Sequence, residues 1–161
     1  MDKNTKNFFR KLCKYCLDNY TISNSGPIIS SLIYFLCKSL DIDAMAVRGL
    51  LTIHIDDNYS KNFAHCFNVY NGIIIDASIY QYALINRRIA HLVPMYIVET
   101  IPYHIEYTVY EEISEDYRFK FSHKFLENLI DKVESMNEDD IYPEGFDIIE
   151  DSRKQNLFYY R

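Results

Sequence analysis

The chain has 161 residues, 48% of them hydrophobic and 25% charged, with a net charge of −6 and an isoelectric point near 5.3. That length can bury a core without disulfide staples, and the acidic balance excludes the basic footprint of a general nucleic-acid binder. No run of 18 apolar residues occurs, and "MDKNTKNFFRKLCKYCLDNY" lacks the continuous apolar centre of a signal peptide. The expectation is one domain in a cytosol, its own or one into which it is delivered, with no membrane partner. The abundance of Ile, Asn, Lys and Tyr points to an AT-rich genome.

Residues 3–19 place Phe8, Phe9, Leu12, Cys13 and Cys16 at helical spacing and predict an amphipathic helix. Cys13 and Cys16 have the spacing of a zinc or redox pair. No second pair follows at zinc-ribbon spacing, so they read as core-side thiols. "TISNSGP" (21–27) breaks the pattern. A second helix is predicted to start at Pro27, with Ser25 or Gly26 at its cap. Ile28, Ile29, Leu32, Ile33, Phe35, Leu36 and Leu40 make it apolar nearly all round, which places it inside the domain. "AMAVRGLLTIHI" (44–55) reads as a central strand and "DDNYSKN" as a loop. Further strands are expected at about 93–100 and 103–112, hinged at Pro102, then a helix at about 120–136 and a polar tail ending in "LFYYR". The acidic runs "EEISED" (111–116) and "ESMNEDD" (134–140) are expected on solvated faces. The fold class is α+β, a buried helix packed on a mostly antiparallel sheet.

Between the central strand and the late ones, "FAHCFNVY", Asn71-Gly72 and "IIIDAS" predict a hairpin with a type I′ turn. In a two-residue hairpin Tyr70 pairs with Ile73, so paired numbers sum to 143 and Phe67 faces Asp76. His65 shares the face of Phe67, which makes His65 and Asp76 diagonal neighbours. Cβ atoms on such a diagonal lie roughly 7 Å apart, within reach of an imidazole–carboxylate hydrogen bond. A carboxylate that fixes the imidazole tautomer leaves the other ring nitrogen to take a proton from a nucleophile. A half-buried pair that merely satisfies itself is the alternative.

"AHCFNVYNGIIIDASIYQY" resembles the His-to-Asp segment of transglutaminase-like and papain-like cysteine enzymes. Upstream, "SGPIISSLIYFLCKSLDIDAMAVRGL" is similar to the helix and strand before that segment in those enzymes. Asp41-Ile42-Asp43-Ala44 and Val47-Arg48-Gly49 stand where the family's "Gi-a-v-G" pattern falls, and Gln81-Tyr82 matches a Gln-aromatic pair of a bacterial subset. The resemblance covers about residues 20–82. It implies a papain-like or transglutaminase-like fold, with a catalytic core at about 20–112 and a C-terminal helix and tail at 113–161. It implies a thiol at the mouth of the buried helix, yet the interval back from Asp41 lands on Ser25 or Gly26, and no cysteine is there. A serine in that slot has three readings: replacement of a cysteine to disable the site, a natural serine nucleophile, or a relative that has lost its chemistry.

The catalytic set implied is therefore Ser25, His65 and Asp76. The helix N-terminus would stabilise an oxyanion at Ser25 and Gly26. Asn19, His54 and Gln81 are further candidates for oxyanion or substrate contact. Cys66 adjoins His65 and so points to the opposite face, and Cys37 lies deep in an apolar helix. His91, His104 and His123 show no ligand spacing, so neither metal nor cofactor is expected. The implied activity is hydrolysis or acyl transfer at an amide bond of a protein or peptide, as a peptidase, amidase or deamidase. A catalytically dead relative acting as a protein-binding module, with 15 tyrosines to supply its surface, is the alternative. The oligomeric state is left open.

Overall fold

The computed structural model describes residues 1–20 and 24–141. The expected "LFYYR" cluster lies outside them. The described chain is α+β, four helices and one five-stranded antiparallel sheet. In order come α1 (Lys3–Tyr20), α2 (Gly26–Ser39), β1 (Ala44–Asp56), β2 (Tyr59–Tyr70), β3 (Ile73–Asp76), α3 (Gln81–Ile85), β4 (Ile97–Val98), β5 (Ile105–Glu112) and α4 (His123–Ser135).

The helical stripe buries Phe9, Leu12, Cys13, Cys16 and Leu17 of α1, as the apolar spacing predicted. Pro at the first turn starts α2, and Leu32, Ile33, Leu36 and Cys37 are fully enclosed. All four cysteines are thiols, not disulfides. Burial pushes the Cys16 thiol up to about 12 and Cys37 up as well, so both are inert core groups.

The hairpin register is the predicted one, with Tyr70 opposite Ile73, Val69 opposite Ile74 and Asn68 opposite Ile75. Asn71 and Gly72 both take positive φ, 48° and 77°, as a type I′ turn requires. Elsewhere the strands differ from expectation. The "DDNYSKN" loop shrinks to a tight turn in which Asp56 Oδ1 accepts from the Asn58 N–H, and β2 begins already at Tyr59. The strand expected at 93–100 is reduced to Ile97–Val98. That strand and β5 do not pair with each other but occupy opposite edges, in the order β4-β3-β2-β1-β5. Pro94 and Pro102 each lack an N–H, which bars continuous ladders through those positions. The helix α3 gave no periodic signal, because it spans only five residues.

Two cores cover the two faces of the sheet. Alternation along β1 and β3 sends Ala44 and Ile75 into the core built by α1, α2 and α4. Leu51, Ile53, Ile97 and Ile105 face the second core, closed by Ile79, Tyr82, Ala83, Ile89 and Leu92. His65, Phe67, Asp76 and Tyr107 lie on this second face by the same alternation.

The sheet is strongly curved on that side. Across a flat sheet β3 and β5 would stand about 14 Å apart, three strand spacings, yet Tyr107 Oη donates to Asp76 Oδ2 at 2.6 Å. Gly49 permits the bend: a Cβ there would meet the Thr108 carbonyl oxygen at 1.9 Å, at a register shift between β1 and β5. Only glycine fits where β5 folds over the sheet face.

Candidate active site

His65 and Asp76 meet as the register predicts. His65 Nε2 lies 2.7 Å from Asp76 Oδ2, and both side chains are buried. Asp76 is fully committed. Oδ2 also accepts from Tyr107 Oη, and Oδ1 accepts from the Ser78 N–H at 3.0 Å and the Ser78 hydroxyl at 3.1 Å. Burial alone would raise this carboxyl, but the adjacent imidazole, the Tyr107 hydroxyl and the Ser78 N–H together hold it below the usual carboxylate range. An ionised carboxylate only accepts, so Nε2 carries a proton and donates it to Asp76. The neutral ring then has Nδ1 as its acceptor, the arrangement of a general base.

That acceptor is already occupied. Tyr82 Oη, from α3, lies 2.9 Å from His65 Nδ1 and 3.3 Å from the Ala64 carbonyl oxygen. With a neutral ring the Tyr82 hydroxyl donates to Nδ1. With an imidazolium, Nδ1–H donates to the phenol oxygen, whose proton turns to Ala64. The Tyr82 ring is itself fixed, stacked on Phe63 with centroids 4.2 Å apart, and His65 stacks on Phe67 at 5.8 Å. Burial and the charge of Asp76 push the Tyr82 phenol well up, so it remains protonated near neutral pH.

Ser25 stands across the strand. It is the residue before α2, at φ −80° and ψ −13°, a helical conformation from which its side chain caps no N–H. Its Oγ is buried, and among the described residues it has no hydrogen-bond partner. Gly26 packs against Cys66 of β2, where an added Cβ would lie 3.3 Å from the Cys66 carbonyl oxygen. Cys66 points away from His65, so the α2 N-terminus approaches β2 from the opposite face.

The two sides communicate around an edge. β3 pairs with β2 only from Asn68 to Tyr70, and the Ala64 and Cys66 carbonyl oxygens beyond it lie 3.3 Å from the Tyr82 hydroxyl and 3.4 Å from the Ser78 hydroxyl. A cavity of about 200 Å³ wraps this edge, lined by Asn24, Gly26, Arg48, His65, Cys66 and Tyr82 among others. Gln81 lines it too. Burial disfavours the Cys66 thiolate and pushes the thiol up, outweighing the opposing pull of the Arg48 guanidinium.

Two other candidates are not brought here. His54 lies on the opposite face and further along β1, its Nδ1 against Ser60 Oγ at 2.6 Å and its Nε2 against Glu106 at 3.2 Å. Asn19 is exposed and turns back on its own helix, donating to the Tyr15 carbonyl. The site residues missed by sequence reasoning are Tyr82, Tyr107 and Ser78. Tyr82 carried a signal as the neighbour of Gln81; Tyr107 carried none, because its reach depends on the curvature of the sheet.

Among the described residues no cluster of three or more His, Cys, Asp or Glu side chains could hold a metal ion, and no helix is long and apolar enough to cross a membrane. Compared with known proteins, the chain matches no family model, no curated sequence and no solved structure.

Proposed function

We propose that this site performs acyl transfer at an amide bond of a protein or peptide, on a papain-like or transglutaminase-like scaffold. The observation that carries the reading is the buried His65–Asp76 hydrogen bond at the wall of a cavity that also touches the start of α2. In this reading the nucleophile at position 25 gives its proton to His65 Nδ1 and attacks the carbonyl carbon. Asp76 stabilises the imidazolium that forms, and backbone N–H groups at the start of α2 receive the oxyanion. The imidazolium then returns its proton to the leaving amine. Water resolves the acyl-enzyme in a peptidase, amidase or deamidase, and an amine resolves it in a cross-linker.

A second reading is a protein-binding module that keeps the scaffold without the chemistry. It is favoured by the unpartnered Ser25 hydroxyl and by the phenol on Nδ1, since no contact joins the hydroxyl to the base.

The experiment introduces Ser25→Cys in a Cys66→Ser background, so that the cavity's own thiol does not compete. Iodoacetamide labelling at position 25 is then followed with His65 intact and with His65→Gln, whose amide still reaches Asp76 as a donor. The acyl-transfer reading expects labelling that exceeds an unactivated thiol and falls at least tenfold with His65→Gln, within the range by which a neighbouring base contributes. Labelling indifferent to His65 favours the binding module.

A further inference from the structure

We propose that Tyr82 is an exchangeable guard on this site, its hydroxyl holding the His65 nitrogen that the nucleophile at position 25 has to reach. The inference rests on the acyl-transfer reading and adds its regulation. His65 has two ring nitrogens, and Asp76 takes Nε2, so Nδ1 alone is left for proton transfer. Tyr82 Oη sits on that atom, and its second neighbour is the Ala64 carbonyl at the unpaired edge of β2. This edge is the one around which the α2 N-terminus communicates with His65. Any side chain from position 25 that reaches Nδ1 must therefore take the place of the phenol oxygen.

Two further features fit a resting, closed state. Ser25 is 1% exposed and His65 3% exposed, so a substrate carbonyl does not reach either in this conformation. The Ser25 hydroxyl is buried without a partner among the described residues, the condition expected of a group whose partner is held by another. Tyr82 is also mounted on an element suited to exchange. The helix α3 has only five residues; Gln81, Tyr82 and Ala83 are buried while Leu84 and Ile85 are about half exposed. It is a short element whose far end, among the described residues, is packed against nothing that would resist a small shift of the phenol. No covalent step is added: the phenol hydrogen bond to Nδ1 is broken and that from position 25 replaces it.

The test uses Tyr82→Phe, which keeps the ring on Phe63 and removes only the hydroxyl. In the chain carrying Ser25→Cys and Cys66→Ser, this change is expected to raise the iodoacetamide rate at position 25 about tenfold, the order expected for losing one competing hydrogen bond. The gain should disappear when His65→Gln is added. A rate that is His65-dependent but unchanged or lowered by Tyr82→Phe overturns the guard and leaves the acyl-transfer reading standing. Labelling without His65 dependence in both backgrounds overturns that reading, and the guard with it. In the chain with its own Ser25, nitrogen-15 NMR of the His65 ring provides an independent readout. Tyr82→Phe is expected to move the Nδ1 resonance and leave Nε2 in place, and an unmoved Nδ1 overturns the guard.

Discussion

His65 and Ser25 are both buried polar groups beside the same strand, and the protein treats them oppositely. His65 has a partner on each ring nitrogen, and Asp76 beyond it accepts four hydrogen bonds. Ser25 Oγ has none. Orphaning a buried polar group costs about 1–3 kcal/mol, so natural structures leave few of them. The satisfied side is a finished network that stabilises the fold. The unsatisfied side is held at a cost in stability, which calls for a purpose outside folding.

The difference can be broken most severely at Asp76. Asp76→Ala orphans His65 Nε2, the Tyr107 hydroxyl and the Ser78 donors together, and is expected to cost about 3–5 kcal/mol in urea unfolding. The same carboxylate sets a pH dependence. Its native pKa lies below the unfolded value of about 3.9, so its contribution is fully present above that value and is lost as pH falls through the native one. The urea midpoint of the unaltered chain should therefore fall more steeply below about pH 4 than that of Asp76→Asn. Equal slopes would show that Asp76 is not held low by its partners.

Tyr107→Phe tests the curvature that brings β5 over the sheet. It removes one donor to a charged acceptor and is expected to cost about 1.5–3 kcal/mol, read from the same unfolding curves. A cost near zero would mean that the hydroxyl does not reach Asp76. Ser25→Ala is the smallest change and the sharpest test of the comparison. An N-cap serine normally loses about 1 kcal/mol on this substitution, but the Ser25 side chain caps no N–H of α2 and bonds nothing among the described residues. The expected effect lies between no change and a gain of a few tenths of a kcal/mol. A loss of 1 kcal/mol or more would place a hydrogen bond on Ser25 Oγ and erase the contrast with His65.

Much of the satisfied side was legible in the sequence. Asn71-Gly72 admits only one tight turn geometry, and the strand period of two then decides that His65 and Asp76 share a face. The helical stripe of α1 and the enclosed helix α2 followed from apolar spacing in the same way. These are local rules, acting over a few residues. The strand expected at 103–112 stands as β5, Ile105–Glu112, whereas the one at 93–100 shrank to two residues, because edge position and proline decide it more than alternation does.

By itself, then, the sequence determined the two N-terminal helices, the hairpin register and the meeting of a histidine with an aspartate, since each depends on contacts close along the chain. Only the tertiary structure decided what surrounds that pair. Tyr107 arrives from 31 residues beyond Asp76 because Gly49 lets β5 fold over the sheet, and Tyr82 arrives because a five-residue helix closes the second core. Ser25 is kept from His65 for the same kind of reason: α2 packs on one face of β2 and the imidazole hangs from the other. Which face a helix covers is set by the burial of whole surfaces, and no short spacing in the chain records it.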